Sequence, residues 1–142
     1  MLRPLVLIAA LAAAPAAAQV LDVAKTPTCG CCDAWVRHMA EAGFDVRPRD
    51  VDPSALNRLK IAAGIVPETA SCHTAMVEGY VVEGHVPAED VRRLLAERPD
   101  AVGIAVPGMP IGSPGMEMGD EIEPYEVLLI RRDGATETFA RR

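Results

Sequence analysis

The chain has 142 residues, 14 of them Lys or Arg against 20 Asp or Glu, for a formal net charge of −6, and half of its residues are hydrophobic. An acidic balance of this size excludes nucleic acid and anionic lipid as natural partners and suits solubility and cations. The length allows one domain around a single core and is too short to argue for two.

The N-terminus joins a basic Arg3, an apolar run over 5–14 and the small residues Ala16-Ala17-Ala18. That is the anatomy of a cleavable secretory signal over 1–18, cut before Gln19, and the run is too short for a comfortable membrane span. With Arg3 the only charged residue removed, 14 basic residues become 13 against 20 acidic, so the mature chain 19–142 carries −7. No later apolar run approaches a span, so the mature protein is expected to be soluble, periplasmic and free of the membrane.

The stretch 20–25 is short and partly alternating, which predicts a strand, and Thr26-Pro27-Thr28 breaks it. Over 33–42 the positions of Cys32, Val36, Met39 and Ala40 predict a helix that stops at Gly43. Cys29-Gly30-Cys31-Cys32 therefore sits at a strand-to-helix turn, on the first turn of the helix. A second strand is predicted over 44–51, with Pro48 placing it at a sheet edge. Asp52 as N-cap and Pro53 at the first helical position open a second helix, whose stripe is Leu56, Leu59 and Ala63 before Gly64. The stretches 71–77 and 80–86 flank Glu78-Gly79 as a hairpin. Pro87-Ala88-Glu89-Asp90 begins a third helix with acidic residues at its positive end, buries Val91, Leu94 and Leu95, and stops at Pro99.

The order β-α-β-α-β-β-α is the thioredoxin-like arrangement, an α/β fold with a mixed sheet flanked by helices. A C-terminal extension over 103–142 follows within the same domain. Its segment 106–119, VPGMPIGSPGMEMG, holds four glycines, three prolines and three methionines in fourteen residues and can be neither regular helix nor strand. Two last stretches, 125–131 and 136–140 around Asp133-Gly134, predict a terminal hairpin.

Chemistry concentrates on the four cysteines, 29, 31, 32 and 72. An even count in an exported chain first suggests two disulfides. Three of them lie within four residues, and a bridge between neighbouring Cys31 and Cys32 would be strained, since bridged Cα atoms usually sit about 4.4–6.8 Å apart. One bridge is compatible with the spacing and two good ones are not. Cys29 and Cys32 have the Cys-x-x-Cys spacing at a helix N-terminus, where thiolate is favoured, and alone they suggest dithiol exchange. Cys31 changes the balance, because several sulfurs on one turn suit a soft ion such as Cu(I) better than a two-thiol exchanger.

Cys72 opens the hairpin beside His73. In a thioredoxin-like fold that strand begins next to the active-site turn, which would make Cys72 a fourth sulfur; a buried structural cysteine or a bridge to the first three is the alternative. Strand alternation leaves only one of Cys72 and His73 facing the cluster. His38, six residues past Cys32, is expected to be a solvated histidine, and His85 to cap or pack. Met39 and Met76 read as core filler. Met109, Met116 and Met118 sit where no periodic core face exists, and thioether is a soft ligand usable in an oxidising compartment. Met116 and Met118 would share a side if extended, so the segment reads as a lid that supplies a ligand or shields the cluster.

Taken together, TPTCGCCDAW, ASCHTAMVEGYVVEGHVPAEDVRRLL and VPGMPIGSPGMEMG, in this order over most of the mature chain, resemble the exported bacterial copper-resistance family named CopG, marked by Cys-x-Cys-Cys. The resemblance implies a thioredoxin-like domain with a C-terminal extension, a cysteine-bridged site for more than one copper ion, and a role in Cu(I)/Cu(II) interconversion linked to export. It carries a ligand role to Cys29, Cys31, Cys32 and Cys72, and next to His73, Met116 and Met118. The expected partners are metal ions and copper-export or other copper-resistance proteins, and a monomer is the default. Two other readings remain: a thiol-disulfide oxidoreductase with Cys29 as nucleophile and Cys32 as resolving thiol, and a copper chaperone without electron transfer.

Overall fold

A computed structural model describes residues 18–142. The signal expected over 1–18 falls outside the described residues but for its last position. No helix among those described is long and apolar enough to cross a membrane.

The first seven elements are β1 (Val20–Lys25), α1 (Gly30–Glu41), β2 (Asp45–Asp50), α2 (Pro53–Ala62), β3 (Thr74–Val77), β4 (Tyr80–Glu83) and α3 (Ala88–Glu97), the order the sequence predicts. Local chemistry explains several boundaries. The Asp52 carboxylate accepts the Ala55 N–H at 2.9 Å and caps α2, with Pro53 following. Glu78 and Gly79 both have positive φ, 46° and 87°, the conformation whose twist suits a two-residue hairpin. Pro48 lies in β2, an edge strand beside β1, where a missing N–H costs least. α1 begins three residues earlier than the periodicity predicts, which puts Cys31 and Cys32 inside its first turn and Cys29 at the N-cap.

The extension is not an appendage. A strand absent from the sequence reading, β5 (Gly103–Ala105), pairs parallel to β4 and antiparallel to β6 (Glu126–Ile130), which pairs with β7 (Thr136–Arg141). The result is one seven-stranded sheet in the order β2-β1-β3-β4-β5-β6-β7. Glycine is required where β5 begins, because a Cβ on Gly103 would lie 1.9 Å from the Val81 carbonyl oxygen.

Alternation along the strands divides the core. Val82, Ile104 and Leu129 join Leu21, Trp35, Met39 and Leu94 in the main cluster under α1 and α3. Their neighbours Val81, Ala105 and Ile130 join Ile65 in a smaller cluster on the opposite face. Met39 is buried as expected; Met76 is not core, being 38% exposed, because its place in β3 turns it to the thinly covered face.

Candidate metal centre

The site forms where the N-terminus of α1, the open end of the β3-β4 hairpin and the 106–119 segment converge. Cys29, in extended conformation, hands the chain into α1 and is bridged to Cys32 one turn later, with Cα atoms 5.3 Å apart. One bridge thus closes and the adjacent pair stays unbridged, leaving Cys31 and Cys72 as free thiols. The Cys31 sulfur lies 3.5 Å from that of Cys29 and 3.9 Å from that of Cys72. All four sulfurs are within 4.8 Å of one another.

Cys72 also belongs to a second group. Its sulfur is 3.4 Å from His73 Nδ1 and 3.0 Å from His85 Nε2, and these three donors are again mutually within 4.8 Å. Of the pair, Cys72 alone belongs to the four-sulfur group, and His73 meets it only in the second group. The pair lies in a bend just before β3 begins at Thr74, at the open end of the hairpin.

His85, read from sequence as a cap or packing residue, is a fully buried member of the site. Its Nδ1 is 2.8 Å from the Pro114 carbonyl oxygen. A carbonyl only accepts, so Nδ1 carries the hydrogen and a neutral ring presents its Nε2 lone pair to Cys72. His38 stands apart, as expected, but is half-buried rather than solvated, its Nε2 accepting the Ala88 N–H at the start of α3.

Beneath the site lies Trp35, fully buried, its indole N–H donating to the Val86 carbonyl at 2.9 Å and its ring 4.4 Å from that of His73. His73 is edge-on to His85 at 5.1 Å. Among the described residues, His73 Nε2 is buried without a hydrogen-bond partner. His73 thus turns Nδ1 to Cys72 and leaves Nε2 unpaired, which is costly for a buried nitrogen, and an imidazole set beside a thiol fits a soft cation.

Burial favours the neutral forms of Cys72, His73 and His85. Burial, followed by the neighbouring Cys31, pushes the Cys72 thiol up to about 12. Burial, then His85 and Lys60, holds His73 well below the ordinary imidazole range, and burial lowers His85 too. Imidazole is thus present in its ligating form, while a metal taken by Cys72 must displace a proton.

The glycine- and proline-rich segment does close over this corner. Gly115, at φ 87°, lies so near α1 that a Cβ would meet the Cys31 carbonyl oxygen at 2.7 Å and the Trp35 nitrogen at 2.8 Å. The segment is folded on itself rather than extended, Gly112 donating its N–H to the Met116 carbonyl. Met116, next to Gly115, is half-buried, whereas Met118 and Met109 are 59% and 51% exposed, so the three thioethers are unequally placed. Gly115→Ala is expected to cost about 1–2 kcal/mol from the left-handed backbone alone, with the collision added, and to speed alkylation of Cys31 and Cys72. Denaturation midpoints and thiol-modification rates equal to wild type would show that the segment does not press on α1.

The family described as "Protein of unknown function, DUF411" matches residues 69–116, which contain Cys72, His73, His85 and the Gly115 contact. No curated protein matches the chain. Two solved structures of copper resistance protein CopG are similar. Form 2 superposes with a TM-score of 0.82 at 42% identity, covering 88% of this chain and 98% of that one. Form 1 gives 0.80 at 42% identity, covering 87% and 96%. Identity at that level over nearly the whole of both chains, with the cysteine turn, the Cys72-His73 bend and the overlying segment joined in one corner, places this chain in the CopG family of copper resistance proteins.

Proposed function

We propose that the protein is a periplasmic copper-binding protein of copper resistance, which holds copper through Cys29, Cys31, Cys32 and Cys72, with His73, His85 and Met116 completing the site and Met118 at its outer rim. The observation that carries this reading is the convergence of four sulfurs within 4.8 Å, one of them shared with two buried imidazoles. Thiolate, imidazole and thioether together select copper over hard divalent ions. The shared Cys72 suits a cluster of more than one ion. The signal-like residues 1–18 and the closed Cys29–Cys32 bridge support an oxidising compartment.

Copper supplies one-electron chemistry when bound, and the chain has a matching two-electron store. Closing the Cys29/Cys32 dithiol to its disulfide releases two electrons and two protons, the number that reduces two Cu(II) to two Cu(I). All four sulfurs become ligands only when that bridge is open. Copper-export proteins are the partners to which a monomer would pass the ion.

Anaerobic reconstitution of the reduced protein with Cu(I), followed by metal counting in wild type and Cys31→Ser, tests the reading. The variant is expected to hold fewer ions, and Trp35 emission to fall as copper is added beside the His73 ring. Unchanged stoichiometry would remove Cys31 from the ligands. The Cys29–Cys32 bridge at a helix N-terminus also favours a second reading, a thiol-disulfide oxidoreductase. Sustained reduction of insulin disulfides with no copper retained would establish it in place of the first.

A further inference from the structure

Lys60, Thr74 and Glu83 form a buried polar cluster that touches none of the sulfurs yet grips the bend carrying Cys72 and His73. Glu83, at the end of β4, is fully buried. Its Oε1 accepts the Ser71 N–H at 2.7 Å and its Oε2 accepts the Thr74 hydroxyl at 2.6 Å. One carboxylate therefore holds the residue before Cys72 and the residue after His73. Lys60, on the inward face of α2, donates to Glu83 Oε1 at 2.5 Å and to the Thr74 hydroxyl at 2.9 Å. Ser71 is fixed from the other side too, its hydroxyl donating to the Gly108 carbonyl at the root of the overlying segment.

A buried ion pair is a poor device for stability alone, since apolar residues of like volume often serve as well or better. Here the carboxylate has a geometric task that an apolar residue cannot perform. We infer that Glu83, neutralised by Lys60, is a positioning residue that clamps the 71–74 bend and so fixes where the Cys72 sulfur and His73 ring face the site. The inference rests on the copper reading for its consequence, because the clamp would set the site's affinity for metal; the clamp itself is visible in metal-free protein.

Two neutral double variants isolate it. K60M/E83Q keeps an amide whose oxygen can accept from Ser71 and removes the ion pair. K60M/E83L removes the pair and the clamp together. In the metal-free protein with Cys29 and Cys32 bridged, iodoacetamide modification of Cys72 relative to Cys31 is read in the same molecule by mass spectrometry. General loosening raises both rates, whereas loss of the clamp raises the Cys72 rate alone. The expected ratio is near wild type in K60M/E83Q and about tenfold higher in K60M/E83L, with Cu(I) affinity by chelator competition falling by about tenfold in the latter only, the size usual for loss of a partner that orients a ligand. Thr74→Val, which leaves the ion pair in place, gives a smaller shift in the same direction and serves if K60M/E83L fails to fold. A Cys72:Cys31 ratio unchanged in K60M/E83L, or in Thr74→Val should that double variant not fold, overturns the inference. A changed ratio in protein that binds no copper keeps the clamp and removes the copper reading instead.

Discussion

Cys72→Ser is expected to lower copper binding more than any other single substitution, by more than the roughly 10–100-fold that follows loss of an outer-sphere partner. The sulfur of Cys72 is the single donor common to the four-thiol group and to the Cys72-His73-His85 group. A hydroxyl in its place is a hard, weakly acidic donor that does not bridge soft ions. Replacing Cys31 leaves the imidazole side of the site intact, and replacing His85 leaves the sulfur side, whereas replacing Cys72 disconnects the two. Chelator competition with Cu(I) under anaerobic conditions measures the effect. A Cys72→Ser protein that retained wild-type stoichiometry and affinity would place the metal on the α1 turn alone. Because loading must displace the Cys72 proton, held on by burial to about 12, wild-type affinity is also expected to rise with pH.

The second large effect is on stability. Trp35→Ala is expected to cost ~3–5 kcal/mol, as for other large-to-small changes at a fully buried aromatic residue, a substantial share of the ~5–15 kcal/mol that holds a domain together. The indole fills the space between α1, the His73 ring and the strand leading to Val86, and its N–H is the donor to the Val86 carbonyl. Trp35→Phe keeps most of the apolar contact and leaves the carbonyl without this donor, so about 1–3 kcal/mol is expected there. Urea denaturation followed by circular dichroism reads both, and a loss below about 1 kcal/mol for the alanine variant would mean that the site rests on other contacts. Since His73 packs on this ring, the alanine variant should also bind Cu(I) more weakly while still folded.

From β1 to α3 the fold was legible because each element carries its own signal: the Asp52-Pro53 cap, the paired positive-φ turn at Glu78-Gly79, the helical stripe Val91, Leu94 and Leu95. β5 was not, since three residues beginning with glycine show no period and owe their strand to β4 and β6 on either side. Half of the site followed the same division. The cysteines declare themselves by spacing, but His85 is identified only through register. Thr74 pairs with Glu83 and the Gly84 N–H donates to the His73 carbonyl just beyond that pair, so the open end of the hairpin brings Cys72 beside His85. The two-residue turn at Glu78-Gly79 fixes that register, and the signal was therefore present in the hairpin rather than around His85 itself. Lys60 was hidden differently: it occupies a place on the buried stripe of α2, four residues after Leu56, and its meaning depends on a carboxylate 23 residues away.

The continuity of the sheet bears on how the site is covered. The segment over Cys31 departs at Ala105 and rejoins at Glu126, and the strands at those two points are neighbours whose ladder pairs Ala105 with Leu128. It is thus a handle fixed at both ends in adjacent strands, its feet one strand spacing, ~4.8 Å, apart across the sheet and two residues out of step along it. A strap tied at both ends cannot be lost to fraying as a free tail can, and this one is also pinned between them, at Ser71–Gly108 and His85–Pro114. The cover over the sulfurs is in this way part of the framework of the sheet, and what holds the fold together also holds the corner closed.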